Sequence, residues 1–274
     1  MKPVPFGYAG ASTLDGIVAL LDRHGDGGKP MSGAQSLGPM LNLRLVRPTV
    51  IIDLSQVAEL RQVRDEGDAV FYGAAVTHAE IEDGAVADAT PGWLSAVARR
   101  IAYRAVRNRG TIGGSIAHAD PAADWVNVMT ALGGEVELVG TGGRRRLALS
   151  DFFLGPFATA LRPGEIVAGV RVAKRGPSAR WGYWKVCRKL GDFAEASAAV
   201  LIDPTRGETR VLIGAIERPP ALADDPDGIL SGRRTVADAV MAAAPGLSDV
   251  SFALHVAALR RAIALAVPGG LAPR

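Results

Sequence analysis

Val106-Arg107-Asn108-Arg109-Gly110-Thr111-Ile112-Gly113-Gly114-Ser115 holds three glycines and two hydroxyl residues in its last six positions. Such a run bends sharply and lets backbone amides approach an anion closely. A second small-residue turn, Ser32-Gly33-Ala34-Gln35-Ser36, lies far upstream, just after a short strand predicted near residues 29–31. Each turn offers hydroxyls and backbone donors, a pairing that suits a diphosphate lying between two loops of separate subdomains. The standard nucleotide fingerprints are absent. No G-x-G-x-x-G occurs, and at Gly28-Lys29 the residue after the lysine is Pro30, while Arg23 stands where a phosphate loop needs its first glycine.

Outward from these turns the chain divides by texture. Ser12-Thr13-Leu14-Asp15 places a carboxylate three positions after a cap residue, and Ile17, Val18, Leu20 and Leu21 give the following helix its apolar face. Pro48-Thr49-Val50-Ile51-Ile52-Asp53-Leu54 is continuously apolar and β-branched, as in a strand covered on both faces. From about residue 61 strand-like pieces appear at 68–72, 135–139 and 165–172, with helices starting near His78 and at Thr90-Pro91-Gly92-Trp93. Lys174-Arg175-Gly176-Pro177-Ser178 reads as a linker. Three strands (181–187, 194–202, 209–216) and Ala-rich helices (236–244, 252–267) follow. The expectation is a mixed α/β, or α+β, chain: residues 1–60 and 61–174 as two subdomains, and 178–274 as an α+β domain with a three-stranded antiparallel sheet and helices.

Composition narrows the chemistry. With 48% hydrophobic residues in 274 the chain has material for a core. Its single cysteine, Cys187, precludes an intrachain disulfide, a four-thiolate iron–sulfur cluster and any zinc site needing two thiolates. The four histidines form no His-x-x-x-His pair, so no metal site and no catalytic triad is expected; His118 reads as a structural hydrogen-bonder and Asp120 as a helix cap before Pro121. No apolar run approaches the ~20 residues of a membrane span, and Met1-Lys2-Pro3-Val4-Pro5 lacks a secretory pattern. A cytoplasmic protein is expected. Arginines gather at 99–109 and 144–146, but the net charge is only +3, and Trp93, Leu94, Val97, Ile101, Ala105 and Val106 recur at helical spacing around the first cluster. That pattern predicts a solvated helix face, and no nucleic-acid module accompanies it.

The extended strings closely resemble the FAD-binding medium subunit of molybdenum hydroxylases, the group of carbon monoxide dehydrogenase and xanthine dehydrogenase. Three motifs occur in family order: Ser32-Gly33-Ala34-Gln35-Ser36-Leu37-Gly38-Pro39-Met40-Leu41-Asn42-Leu43-Arg44; the stretch from Val106 to Ser115 with Asp120-Pro121-Ala122-Ala123-Asp124; and Lys185-Val186-Cys187-Arg188-Lys189-Leu190-Gly191-Asp192-Phe193-Ala194. The resemblance implies a two-subdomain FAD-binding fold of the vanillyl-alcohol-oxidase (PCMH) type plus a C-terminal α+β domain. It implies FAD contacts from Ser32, Gly33, Ala34, Gln35, Ser36 and Leu37, and from Thr111, Ile112, Gly113, Gly114 and Ser115. Asp124, Val167, Lys185, Phe193 and the Thr77-His78 pair complete the implied set, with no catalytic residue in this chain. Ala34 and Phe193 depart from the family, whose members commonly carry Gly and Tyr there.

The same resemblance implies partners: a large subunit with a molybdenum–pterin centre and a small subunit with two [2Fe-2S] clusters, assembled as a dimer of heterotrimers. Flavin here would pass electrons from those clusters to an external acceptor, such as NAD or a quinone. One cysteine cannot ligate the clusters, so they belong to another chain. The alternative reading is a stand-alone flavoprotein reductase or oxidase of the same fold.

Overall fold

The computed structural model describes residues 2–267. At its N-terminal end β1 (Gly7–Gly10), α1 (Leu14–His24), β2 (Gly28–Met31), α2 (Leu37–Asn42) and β3 (Val50–Asp53) form a parallel sheet in the order β1-β3-β2. Thr13, one residue later than expected, caps α1 by accepting the Gly16 amide at 3.2 Å, and Gly25 ends the helix at φ +49°. Ile51 and Ile52 of the central strand are fully buried. Because the strands are parallel, the loops after β2 and β3 leave at one edge, where open α/β sheets bind ligands.

The second unit contains β4 (Val63–Asp65), β5 (Ala69–Gly73), α3 (His78–Glu82), α4 (Trp93–Ala98), α5 (Arg104–Arg107), α6 (Ile112–His118) and α7 (Asp124–Ala131). It continues through β6 (Glu135–Gly140), β7 (Gly143–Ala148), α8 (Leu149–Phe152), β8 (Phe153–Gly155), β9 (Ala158–Thr159) and β10 (Ile166–Ala173). Its main sheet is antiparallel, ordered β4-β5-β10-β6-β7, with β8 and β9 a separate hairpin. Three local expectations change. Helix α4 starts at Trp93, because Gly92 is left-handed at φ +86° and the Thr90 hydroxyl accepts the Leu94 amide from outside the helix. The apolar periodicity running on to Val106 is not one helix, since Ala102 turns the chain at φ +42°. Asp120 makes a local turn to the Ala122 amide at 2.9 Å, and α7 begins only at Asp124.

The second arginine cluster is neutralised at home, and the first in part. Arg104 and Arg107 grip Glu82 and Asp83. Arg144 and Arg146 clamp Glu137, and Arg145 pairs with Glu165 at 2.7 Å, along the edge strand β7.

Beyond the linker, β11 (Arg180–Val186), β12 (Ala196–Asp203), β13 (Glu208–Gly214) and β14 (Ala221–Leu222) form an antiparallel meander, followed by α9 (Pro226–Leu230), α10 (Val236–Ala243) and α11 (Asp249–Ala266). The three expected strands are present, and the two-residue β14 extends the sheet to four. Helix α11 lies directly on β11, where a Cβ on Gly182 would collide with the Ala262 carbonyl. Helix α7, buried along its whole length, packs against β12 and β13. One core cluster therefore runs from Leu14 through both N-terminal units to Leu212, and a second lies between the meander and α10 and α11. In the linker, the buried Arg175 guanidinium donates to Glu208 at 2.8 Å and to the Leu132 carbonyl at 2.8 Å, and pairs with Asp203.

Candidate functional site

The two small-residue turns meet. Thr111 Oγ1 donates to Ser32 Oγ at 3.1 Å, and a Cβ on Gly33 would run into the Arg109 carbonyl. Between them opens a cleft of ≈ 120 Å³ whose walls include Ser32 and Gly33 from one side and Thr77, Asn108, Arg109 and Thr111 from the other, together with Ser55 and Arg61. Sequence reasoning missed Ser55, Arg61, Asn108 and Arg109. Asn108 and Arg109 stand inside the quoted glycine motif, whereas Ser55 and Arg61 carry no local signal.

The first turn leaves its amides free. Among the described residues no acceptor meets the amides of Gly33, Ala34, Gln35 and Ser36, while the Gln35 side chain folds back to donate to the Gly33 carbonyl at 2.9 Å. Ala34 sits at φ +60°, so a left-handed residue turns this row of amides into a concave nest despite its methyl group. Gly33, Ala34 and Gln35 are half-buried and Ser36 is exposed, so these amides are open to an acceptor from outside the chain.

The second turn behaves differently from expectation. Its amides are already engaged: Ile112 donates to the Val76 carbonyl and Gly113 to the Ala74 carbonyl, both at 2.9 Å, and Gly114 to Thr111 Oγ1 at 3.1 Å. Gly113 is glycine because a Cβ would collide with Ala74, and Gly110 because a Cβ would lie 2.7 Å from His78 Nε2. The turn thus supplies mainly the Thr111 hydroxyl and exposed backbone at Gly114, with Ser115 half-buried behind it.

Thr77 caps α3 through a reciprocal pair with Glu80, whose other oxygen holds Arg61 at 2.6 Å. Across the cleft mouth, Asp53 accepts from the Tyr8 hydroxyl and from both the amide and the hydroxyl of Ser55. Partial burial opposes ionisation of Asp53, but these hydrogen bonds outweigh it and hold the carboxyl below its ordinary range.

The remaining expected contacts lie elsewhere. His78 is buried, its Nδ1 accepting from the Trp125 indole at 2.9 Å; burial, then the Arg107 charge, lowers its pKa to about 3, so it stays neutral. Ile112 and Val167 belong to the core, and Leu37 opens α2 beside the first turn. Asp124 and Lys185 are brought to each other: Lys185 Nζ donates to Asp124 Oδ2 at 2.8 Å and to the Arg100 carbonyl at 3.0 Å, and Tyr183 donates to Asp124 Oδ1 at 2.9 Å. Burial drives the Asp124 carboxyl above its usual range even against the ammonium, and drives the Tyr183 phenol well up. Phe193 is 65% exposed on the loop joining β11 to β12. Among the described residues no group of three or more His, Cys, Asp or Glu is placed to hold a metal ion, and no helix is long and apolar enough to cross a membrane.

Comparison with known proteins gives this geometry a family. Residues 4–174 match the model of the FAD binding domain in molybdopterin dehydrogenase. The nicotine 6-hydroxylase medium subunit of Paenarthrobacter nicotinovorans is 37% identical over 236 residues, covering 85% of this chain and 82% of that protein. The carbon monoxide dehydrogenase medium chain of Hydrogenophaga pseudoflava is 37% identical over 202 residues, 74% of this chain and 70% of its own. Among solved structures, carbon monoxide dehydrogenase from Hydrogenophaga pseudoflava superposes with a TM-score of 0.88 at 30% identity, covering 97% of this chain and 98% of that one. Quinoline 2-oxidoreductase from Pseudomonas putida 86 gives 0.87 at 31% identity, covering 98% and 99%. A family model that spans both N-terminal units, and relatives this similar along most of the chain, place it: the chain belongs to the FAD-binding family of the molybdopterin dehydrogenases.

Proposed function

We propose that this chain is the medium subunit of a molybdenum hydroxylase complex, taking electrons from iron–sulfur clusters in a small subunit and passing them to an external acceptor. Substrate oxidation then occurs in a large molybdopterin subunit, and the complex is a dimer of heterotrimers in the cytoplasm. The observation that carries the reading is the row of unpartnered amides from Gly33 to Ser36, beginning at a cleft that Ser32 and Gly33 line together with Thr111. Bound FAD supplies the redox chemistry, accepting electrons singly or in pairs.

The protein's own groups bind and orient. The first-turn amides and the Ser32 and Thr111 hydroxyls would hold the diphosphate, with Arg109 offsetting its charge. Gly114 and Ser115 line its other side, and Leu37 bounds the first turn. Asp124, Lys185, Val167, Ile112, Thr77 and His78 would support the bound cofactor from the surrounding structure, and Phe193, on its exposed loop, would be free to contact it. In this reading residues 1–60 and 61–174 are the two FAD-binding subdomains and 178–274 the C-terminal domain.

Purification of the chain with its natural partners tests the proposal. A flavin absorbance band that an added substrate bleaches only when the partners are present supports it. A natively purified complex free of FAD, or a lone chain whose flavin is reduced directly by an organic substrate, overturns it.

A further inference from the structure

A second cavity, of ≈ 330 Å³, opens away from the diphosphate cleft, at the seam between the end of α4 and the C-terminal part of β11 with the loop after it. Its lining includes Arg100, Lys185, Arg188 and Lys189, and no acidic residue. Three of these cations have carboxylate partners: Lys185 has Asp124, Arg188 has Glu195 at 3.1 Å, and Lys189 has Asp192 at 3.9 Å. Arg100 has none among the described residues. Its guanidinium lies over the Trp184 ring, 5.2 Å from the centroid, and its Nε is buried with no hydrogen-bond acceptor. Arg261 sits at 5.1 Å from the same ring and adds a fifth positive charge beside it.

Half-buried and without a carboxylate partner among the described residues, Arg100 brings an uncompensated charge to the lining, which an anion would neutralise. Arg100 and Arg261 both lie against the Trp184 ring, and no acidic residue lines the cavity. The cavity therefore recognises charge, and its size suits a small molecule rather than a protein segment.

We propose that this cavity docks an anionic electron acceptor. The inference rests on the reading of the chain as a flavin-carrying electron outlet, because Lys185 lines the cavity and belongs to the set that would support the bound cofactor. With ferricyanide as probe the chemistry balances. The dihydroflavin gives one electron to each of two ferricyanide ions and releases two protons, leaving oxidised flavin and two ferrocyanide ions.

Two measurements on the flavin-loaded protein decide it. Calorimetric titration with ferrocyanide reads docking without turnover, and stopped-flow reoxidation of dithionite-reduced flavin compares ferricyanide with neutral benzoquinone. Arg100→Gln, and separately Arg188→Gln at a side chain 88% exposed and safe for folding, are expected to weaken ferrocyanide binding about tenfold. They should slow reoxidation by ferricyanide while leaving that by benzoquinone unchanged. Arg23→Gln on the distant α1 should change neither. Ferrocyanide affinity indifferent to both cavity substitutions, with flavin fully loaded, overturns the docking site alone. A protein that takes up no flavin overturns the underlying reading with it.

Discussion

Thr111 Oγ1 and Ser32 Oγ, 79 residues apart in sequence, share a hydrogen bond of 3.1 Å that joins the parallel N-terminal sheet to the antiparallel unit behind it. The Thr111 hydroxyl also accepts the Gly114 amide, so the group that caps α6 fixes the distance between the two turns. Thr111→Val keeps the shape but removes both bonds. It should cost about 1 kcal/mol of stability and lower FAD affinity, read by denaturant unfolding and by flavin retained after gel filtration. Unchanged retention would detach this hydroxyl from the site.

Gly33 and Gly113 should fail in different ways. Gly33→Ala drives a methyl into the Arg109 carbonyl and separates the turns, so FAD affinity is expected to fall about tenfold or more in a protein that still folds. Gly113→Ala presses instead on Ala74 inside the structure and should cost about 1–3 kcal/mol of stability before any effect on flavin. Circular dichroism melts paired with flavin content separate the two; identical behaviour contradicts the assignment.

Ala34 adopts a conformation that suits glycine. An L-residue there costs about 1–2 kcal/mol, partly offset because glycine loses more entropy on folding. Ala34→Gly is therefore expected to raise stability by about 0.5–1 kcal/mol and leave FAD binding intact. A lower unfolding midpoint would show that the methyl makes a useful contact.

The buried His78 makes stability depend on acid. An unfolded imidazole takes up its proton near 6.5, the folded one only near 3. Between those values the unfolded chain binds more protons, so stability falls as pH falls, by up to roughly 1.4 kcal/mol per pH unit. Above 6.5 this group contributes no slope. His78→Asn should flatten the curve in that window, and urea unfolding at a series of pH values measures it.

Asp124 and Lys185 form a buried pair, 6% and 2% exposed. Removing either partner alone, as in Asp124→Asn or Lys185→Met, should cost about 3–5 kcal/mol, with the double variant costing less than the sum. Additive losses in a double-mutant cycle would mean that the two groups act independently.

The outline of the fold was legible because Val50, Ile51 and Ile52, the alternation after Glu135, and the strands of the C-terminal sheet carry their own periodicity. Other features depended on contacts distant in sequence. Strand β7 escaped because Arg144, Arg145 and Arg146 resemble a solvated run until Glu137 and Glu165 are brought beside them. Ser55 and Arg61 entered the cleft only when the end of β3 met the second unit. The second turn looked like a bed of free amides, and only the fold shows Ala74 and Val76 accepting two of them.

Arg175 deserves its place in the segment between the FAD-binding units and the C-terminal sheet because its charged head is locked beneath both. A protease that nicked the neighbouring backbone would leave the two fragments clasped, co-eluting as one particle. Motion of the C-terminal domain as a free paddle would have to break this clasp first, so the spacing between the two parts is set when the chain folds.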